Sequence, residues 1–215
     1  IGCSHLGHIV ENRLIQLALW QRLQQLDNIA LFCPTKIAKL TRKQADDKIC
    51  VELDNGETFD TRLLVGADGA NSMVRQWANI GISGWDYAQS AMLINIETAC
   101  DEQDVTWQQF TPNGPRSLLP LPGNNASLVW YDEANKIAQL TQLNNKALQA
   151  QIDQHFPSRL DRDFTVVSKA SFKLTRRHAQ TYYRNNLVIL GDAAHTINPL
   201  AGQGVNLGFK DVDAL

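Results

Sequence analysis

The chain has 215 residues, 44% of them hydrophobic and 20% charged, with a formal net charge of -2. That length and apolar content suffice for one large or two small domains with a buried core, and the lack of a basic excess argues against DNA or RNA as a partner. Four cysteines, Cys3, Cys33, Cys50 and Cys100, stand singly, which speaks against a zinc site or a disulfide framework and for a reducing compartment. No apolar run approaches the ~20 residues that cross a bilayer, and no signal-peptide pattern opens the chain; peripheral membrane contact stays open.

Residues 10–26, "VENRLIQLALWQRLQQL", place Val10, Leu14, Leu17 and Ala18 on one side at helical spacing, so a helix with a buried stripe is expected there, ended by Asp27 and Asn28. The stretches "IALFC", "KIAKLTRK" and "KICVEL" are rich in β-formers, and Asn55-Gly56 is a strong hairpin signal. "TRLLVGADGANSMVRQWA" reads as strand, glycine turn and helix. Between residues 82 and 181 "SAMLINIETA", "VTWQQFT", "RSLLPLPG", "ASLVWYD" and "FTVVSKASFKL" alternate in the manner of an antiparallel sheet. One polar helix over residues 135–156 interrupts them, with Ile137, Leu140, Leu148 and Ile152 as its buried positions. "NLVILGDAAH" then returns to strand, turn and helix, so the chain leaves one domain and comes back to it. The start at Ile1 and the end in "GFKDVDAL", which reads as an unfinished helix, suggest a piece of a longer protein.

Two places share one design, an apolar strand running into Asp68-Gly69 or into Gly191-Asp192. Nucleotides bind at the carboxyl ends of strands in α/β folds, where glycine permits close backbone approach and an Asp can accept bonds from sugar hydroxyls. Two ordinary tight turns with solvated carboxylates are the plainer alternative. After the second turn, Pro199 fixes the backbone, and Ala201, Gly202, Gln203 and Gly204 lead into a helix start whose N–H groups lack partners within the helix.

"LVGADGANSMVRQ" and "LVILGDAAHTINPLAGQGVNLGFKDVDAL" resemble the second and third fingerprints of the flavin-dependent aromatic hydroxylases, the para-hydroxybenzoate hydroxylase class. "VENRLIQLALWQ", "TWQQFTPNGPRSLLPL", "ASLVWYD" and "LTRRHA" are similar to the ubiquinone-biosynthesis hydroxylases within it, in particular to their demethoxyubiquinol branch. The resemblance implies a mixed α/β (α+β) architecture: a Rossmann-like FAD/NAD(P)-binding part over residues 1–81, an antiparallel β-sheet substrate domain over 82–181, and a return to the FAD-binding part over 182–215. It further implies FAD and NAD(P)H as cofactors, and a polyprenyl quinol and dioxygen as substrates. The setting would be cytoplasmic, peripheral to the inner membrane or within a ubiquinone-biosynthesis complex. The family's first fingerprint, a G-x-G-x-x-G after a strand, does not occur: "IGCSHLGH" lacks the strand and the spacing. It is expected upstream, and the chain by itself is expected to bind FAD weakly or not at all.

By the same resemblance Asp192 reaches the ribityl chain or the pyrophosphate, Gly191 allows the approach, and Asp68 and Gly69 form a turn shared by flavin and nicotinamide cofactor. Pro199, Ala201, Gly202, Gln203 and Gly204 lie against the isoalloxazine ring, where helix-start amides suit the negative charge of the reduced form. Arg75 either helps with phosphate charge or is a surface helix residue. His195 is either a general base or a loop-ordering residue bonded to backbone; His5, His8, His155 and His178 are taken as structural. Glu11 and Asn12 open the first helix, near the flavin or simply at a helix end. Trp107, Gln109, Phe110 and Pro120 belong to the sheet, as core or as pocket lining. No catalytic side chain and no metal ligand is assigned. Two rivals remain: another flavoenzyme on the same scaffold, a reductase or halogenase, and a shortened paralogue that binds a quinone or protein partners without catalysis.

Overall fold

The computed structural model describes residues 2, 7–43, 46–100 and 103–215, so Cys3 and His5 lie outside the described residues. In chain order its elements begin with α1 (Asn12–Leu23), β1 (Ile37–Lys43), β2 (Lys48–Leu53), β3 (Thr58–Thr61), β4 (Leu64–Gly66), α2 (Met73–Trp77) and β5 (Ile82–Thr98). There follow β6 (Trp107–Thr111), β7 (Gly114–Pro120), β8 (Asn125–Glu133), α3 (Ala134–Gln142), α4 (Asn145–His155) and β9 (Phe164–Ala179). The last are β10 (Tyr183–Arg184), β11 (Leu187–Ile189), β12 (His195–Thr196) and α5 (Gly204–Ala214), with 3-10 turns at Gly191–Ala193 and Pro199–Ala201. The chain divides into one unit of Ile1–Ala30 with Ala88–Leu174 and another of Leu31–Tyr87 with Thr175–Leu215. The division falls inside β5 and β9 rather than at their ends, and it groups the first thirty residues with the sheet.

In the first unit, alternation along β5 and β8 puts Met92, Ile94 and Ile96 on one face with Trp130, Leu128 and Ala126 opposite them across an antiparallel ladder. α3 and α4 cover that face through Ile137, Leu140, Leu148 and Ile152. The single helix expected over 135–156 is therefore two. Leu143 is extended, and Asn144 accepts from the backbone N–H of Ala147 at 2.9 Å, which starts a second helix. Trp107 packs on this core and its ring meets Phe156 edge-on, while Phe110 points to the other face and is exposed. The ring of His155 meets Trp130. A buried ion pair between Arg116 and Asp132 (2.9 Å) closes one end of the face, and Trp130 also donates to Asp132.

Two further expectations fail. No residue of α1 is buried: Leu14, Leu17, Leu19 and Trp20 are all exposed, because nothing among the described residues covers the side that Val10, Leu14, Leu17 and Ala18 share. "IALFC" forms no strand; it runs into Pro34, which cannot donate to a ladder.

In the second unit, β1, β2 and β3 form an antiparallel meander turned at Asn55-Gly56. β4 pairs in parallel with β11, Leu64 opposite Leu187 and Gly66 opposite Ile189. Only glycine fits at 66, since a Cβ there would lie 2.8 Å from Val74 Cγ1 and 3.1 Å from Ile189 Cγ2. β12 pairs with the end of β9, His195 opposite His178.

Candidate functional site

Parallel pairing has one consequence that antiparallel pairing would not: β4 and β11 end side by side. The backbone N–H of Leu190 donates to the Gly66 carbonyl at 3.0 Å, so Ala67-Asp68-Gly69 and Gly191-Asp192 leave the sheet as neighbours. Gly69 (φ +79°) and Gly191 (φ +58°) both take left-handed backbone, which favours glycine.

At the first turn Asp68 is fully engaged. Its Oδ1 accepts from the Ser72 hydroxyl at 2.5 Å and its Oδ2 from the backbone N–H groups of Met73 (2.7 Å) and Val74 (3.2 Å). Partial burial pushes this carboxyl up, but the bonds from Ser72 and the α2 amides outweigh it and hold Asp68 below its ordinary value. Arg75 is not the surface residue that one of its two readings expected. It is buried, and its Nη1 donates to the Ala193 carbonyl at 2.7 Å and its Nη2 to the Ala70 carbonyl at 2.9 Å. A desolvated guanidinium needs acceptors, and the two turns supply one each. Burial lowers its pKa, which the Asp68 charge opposes.

At the second turn the Asp192 side chain is exposed and bonds to no other described residue. His195 is 7% exposed and meets Asp211 of α5, Nε2 to Oδ2, at 2.7 Å. The backbone N–H of Gly191 donates to the same Oδ2 at 2.8 Å. His195 is thus bonded to a carboxylate, where the loop-ordering alternative expected a bond to backbone. The Tyr182 ring lies 5.8 Å from it, and the Tyr182 hydroxyl bonds His178 Nε2 at 3.1 Å. Burial, then the Asp211 charge, raise the Tyr182 phenol.

Beyond β12, Asn198 accepts from the Leu200 N–H at 3.1 Å and starts the turn Pro199–Ala201. Gly202 follows in left-handed backbone (φ +60°), then Gln203, which gives α5 no side-chain cap. A Cβ at Gly202 or Gly204 would meet no protein atom within 4 Å. Gly204 has no left-handed φ and no close neighbour, so nothing within the described residues requires glycine there. Together with uncapped helix amides, that open space is what a flat anionic group needs.

The profile of the FAD binding domain family matches residues 35–215. The chain belongs to that family. Its cofactor is FAD, and the residues fit it: two glycine turns at adjacent strand ends, an open carboxylate at 192, and a bare helix start. The chain is 53% identical over 210 residues to the 3-demethoxyubiquinol 3-hydroxylase of Escherichia coli K12, covering 98% of this chain and 53% of that protein. It is 37% identical to the ubiquinone hydroxylase UbiL of Rhodospirillum rubrum, covering 98% and 48%. It spans about half the length of the curated relatives it matches. Among solved structures, p-nitrophenol 4-monooxygenase PnpA from Pseudomonas putida DLL-E4 superposes with a TM-score of 0.76 at 16% identity, covering 95% of this chain and 52% of that one. That likeness shows the fold: a flavin hydroxylase scaffold of nucleotide-binding part and antiparallel sheet.

The sequence missed Asp211 and underrated Arg75. Both had a signal, Asp211 lying three residues after Gly208 on one helix face and Arg75 three after the helix-capping Ser72. No described helix is long and apolar enough to cross a membrane.

Proposed function

We propose that the protein is an FAD-dependent monooxygenase that hydroxylates the aromatic ring of a polyprenylated quinol, with NAD(P)H as reductant and dioxygen as co-substrate. The relatives named above support the substrate class. The observation that carries the reading is the adjacency of the Gly191-Asp192 turn to the Asp68-Gly69 turn, followed by an uncapped α5 with open space at Gly202 and Gly204.

Asp192, exposed and unbonded, holds ribityl hydroxyls or the region of the pyrophosphate, and Gly191 lets the backbone come close. Asp68 acts from behind: by capping α2 it shapes the turn in which Gly69 faces the cofactor. Pro199, Ala201, Gly202, Gln203 and Gly204 border the ring, and the first amides of α5 offer donors and a partial positive charge to its anionic edge. Bound FAD, once reduced, supplies the electrons that activate dioxygen for transfer of one oxygen atom to the substrate ring. The protein's share is orientation and exclusion of water. His195 orders the loop. A polyprenyl tail partitions into lipid, so substrate is taken at a membrane surface, with the enzyme peripheral to it on the cytoplasmic side.

Flavin content and product analysis on the complete protein test this. The expected outcome is stoichiometric FAD, NAD(P)H oxidation stimulated by a quinol, and incorporation of an atom of dioxygen into the ring. A protein that binds no flavin, or oxidises NAD(P)H without ring oxygenation, overturns it.

A further inference from the structure

The 3-10 turn Gly191–Ala193 begins after Leu190, whose side chain cannot cap it. The turn's first N–H therefore needs an acceptor from elsewhere. The N–H of Leu190 is taken by Gly66 and that of Ala194 by the Gly191 carbonyl. The N–H of Gly191 goes to Asp211, twenty residues further along. One oxygen, Oδ2, receives both this bond (2.8 Å) and the bond from His195 Nε2 (2.7 Å). A carboxylate oxygen only accepts, so Oδ2 can serve both neighbours when His195 is the tautomer with a hydrogen on Nε2.

α5 touches the same turn at a second place. A Cβ built on Gly208 would lie 3.4 Å from the Cα of Gly191, the one atom of the described residues outside α5's own backbone within 4 Å of it. Gly208 and Asp211 are three residues apart and share a helix face. The close approach at 208 sets how near α5 lies to the turn, and the carboxylate at 211 sets its roll and its position along the axis. Two contacts of different kind thus index the start of α5 to the turn that carries Asp192.

We propose that Asp211 is a positioning residue that clamps the Gly191–Ala193 turn to α5, so that the Asp192 turn and the amides at the start of α5 meet FAD as one preformed surface. This rests on the flavin roles given to those two segments above. Preformation matters because ordering a loop at the moment of binding weakens affinity.

The test uses the complete protein, stripped of flavin and titrated with FAD, alongside amide hydrogen exchange over residues 190–196. In the flavin-free wild type the Gly191 amide is expected to be protected already, and FAD adds little protection there. Asp211→Ala should lose that protection and bind FAD at least about tenfold more weakly. Asp211→Asn, whose side-chain carbonyl can still accept from Gly191, should restore most of both. A merely structural role would lower thermal stability in both variants without this rescue pattern. The inference is overturned if Gly191 exchanges freely in the wild type until FAD binds, a result that needs no variant to fold. It is equally overturned if Asp211→Ala binds FAD as the wild type does. Failure of the wild type itself to bind FAD sinks the functional reading instead, so the two failures are told apart.

Discussion

After β4 the carboxylate of Asp68 is consumed by the three donors it accepts from Ser72, Met73 and Val74. After β11 the carboxylate of Asp192 is exposed and bonds to nothing described, and capping of its turn falls to Asp211 from α5. The cause of the difference is what comes next in the chain. α2 begins five residues after Asp68 and presents unpaired N–H groups within reach. After Asp192 the chain instead enters β12, and the next long helix waits until Gly204. The same two residue types therefore do inward work at one turn, while at the other the carboxylate is left open.

Arg75 joins the two turns, so its removal should have the largest effect on both. Arg75→Ala leaves the carbonyls of Ala70 and Ala193 without their donors in a buried setting, and should lower stability in urea unfolding by about 2–3 kcal/mol. Arg75→Lys keeps the charge but cannot span both carbonyls with a planar fork, and should fall between. If Arg75→Ala unfolds at the same urea concentration as the wild type, the two turns do not depend on each other.

The second turn can be attacked where the protein itself offers no resistance. A Cβ at Gly204 meets no protein atom within 4 Å and no left-handed backbone, so in Gly204→Val the fold should survive while FAD binding to the complete protein weakens by more than about tenfold. Gly202→Val adds backbone strain at φ +60°, costing about 1–2 kcal/mol of stability as well. Equal FAD affinity in Gly204→Val and wild type removes the ring from the start of α5.

Much of this was legible in the chain. The strand, turn and helix around Asp68 and the alternation along residues 90–99 and 126–132 carry their own periodicity and lie in β4, α2, β5 and β8, whereas after Asp192 a short strand, β12, stands where a helix was expected. What was not legible depends on partners distant in sequence. The stripe on residues 10–26 was read from spacing, but a stripe is buried only if something covers it, and within the described residues nothing covers Leu14 or Leu17. The break at Leu143 turned on whether Asn144 would bond its own backbone. The spacing of Asp211 from Gly208 was in the sequence, but its partner, the Gly191 N–H twenty residues earlier, was not. Likewise, "IALFC" has the composition of a strand, but composition does not supply a ladder.

A reciprocal pair sharpens the contrast between the carboxylates. Asp68→Ala removes a helix cap and should cost about 1 kcal/mol of stability with FAD affinity changed little. Asp192→Ala, at an exposed and unbonded site, should leave stability within about 0.5 kcal/mol and weaken FAD binding. The same direction of effect in both variants would erase the distinction.

The smallest effect lies in the pH dependence of Asp68. Its carboxyl is held below the ordinary 3.8 in the folded protein, so between the folded and ordinary values the unfolded chain binds the extra proton. The contribution is then fully present above the ordinary value and is lost as pH falls through it towards the folded one. In urea unfolding, Asp68→Asn should trail the wild type by a constant fraction of about 1 kcal/mol from pH 7 down to about 4.5, and the gap should narrow below 3.8. Because the group is partly exposed, added salt should shrink the gap at every pH without moving the point where it begins to close. A gap that instead stays level down to pH 2.5 would mean that the bonds to Ser72 and the α2 amides hold a neutral acid as well as they hold the carboxylate, and the inward role of Asp68 would then owe nothing to its charge.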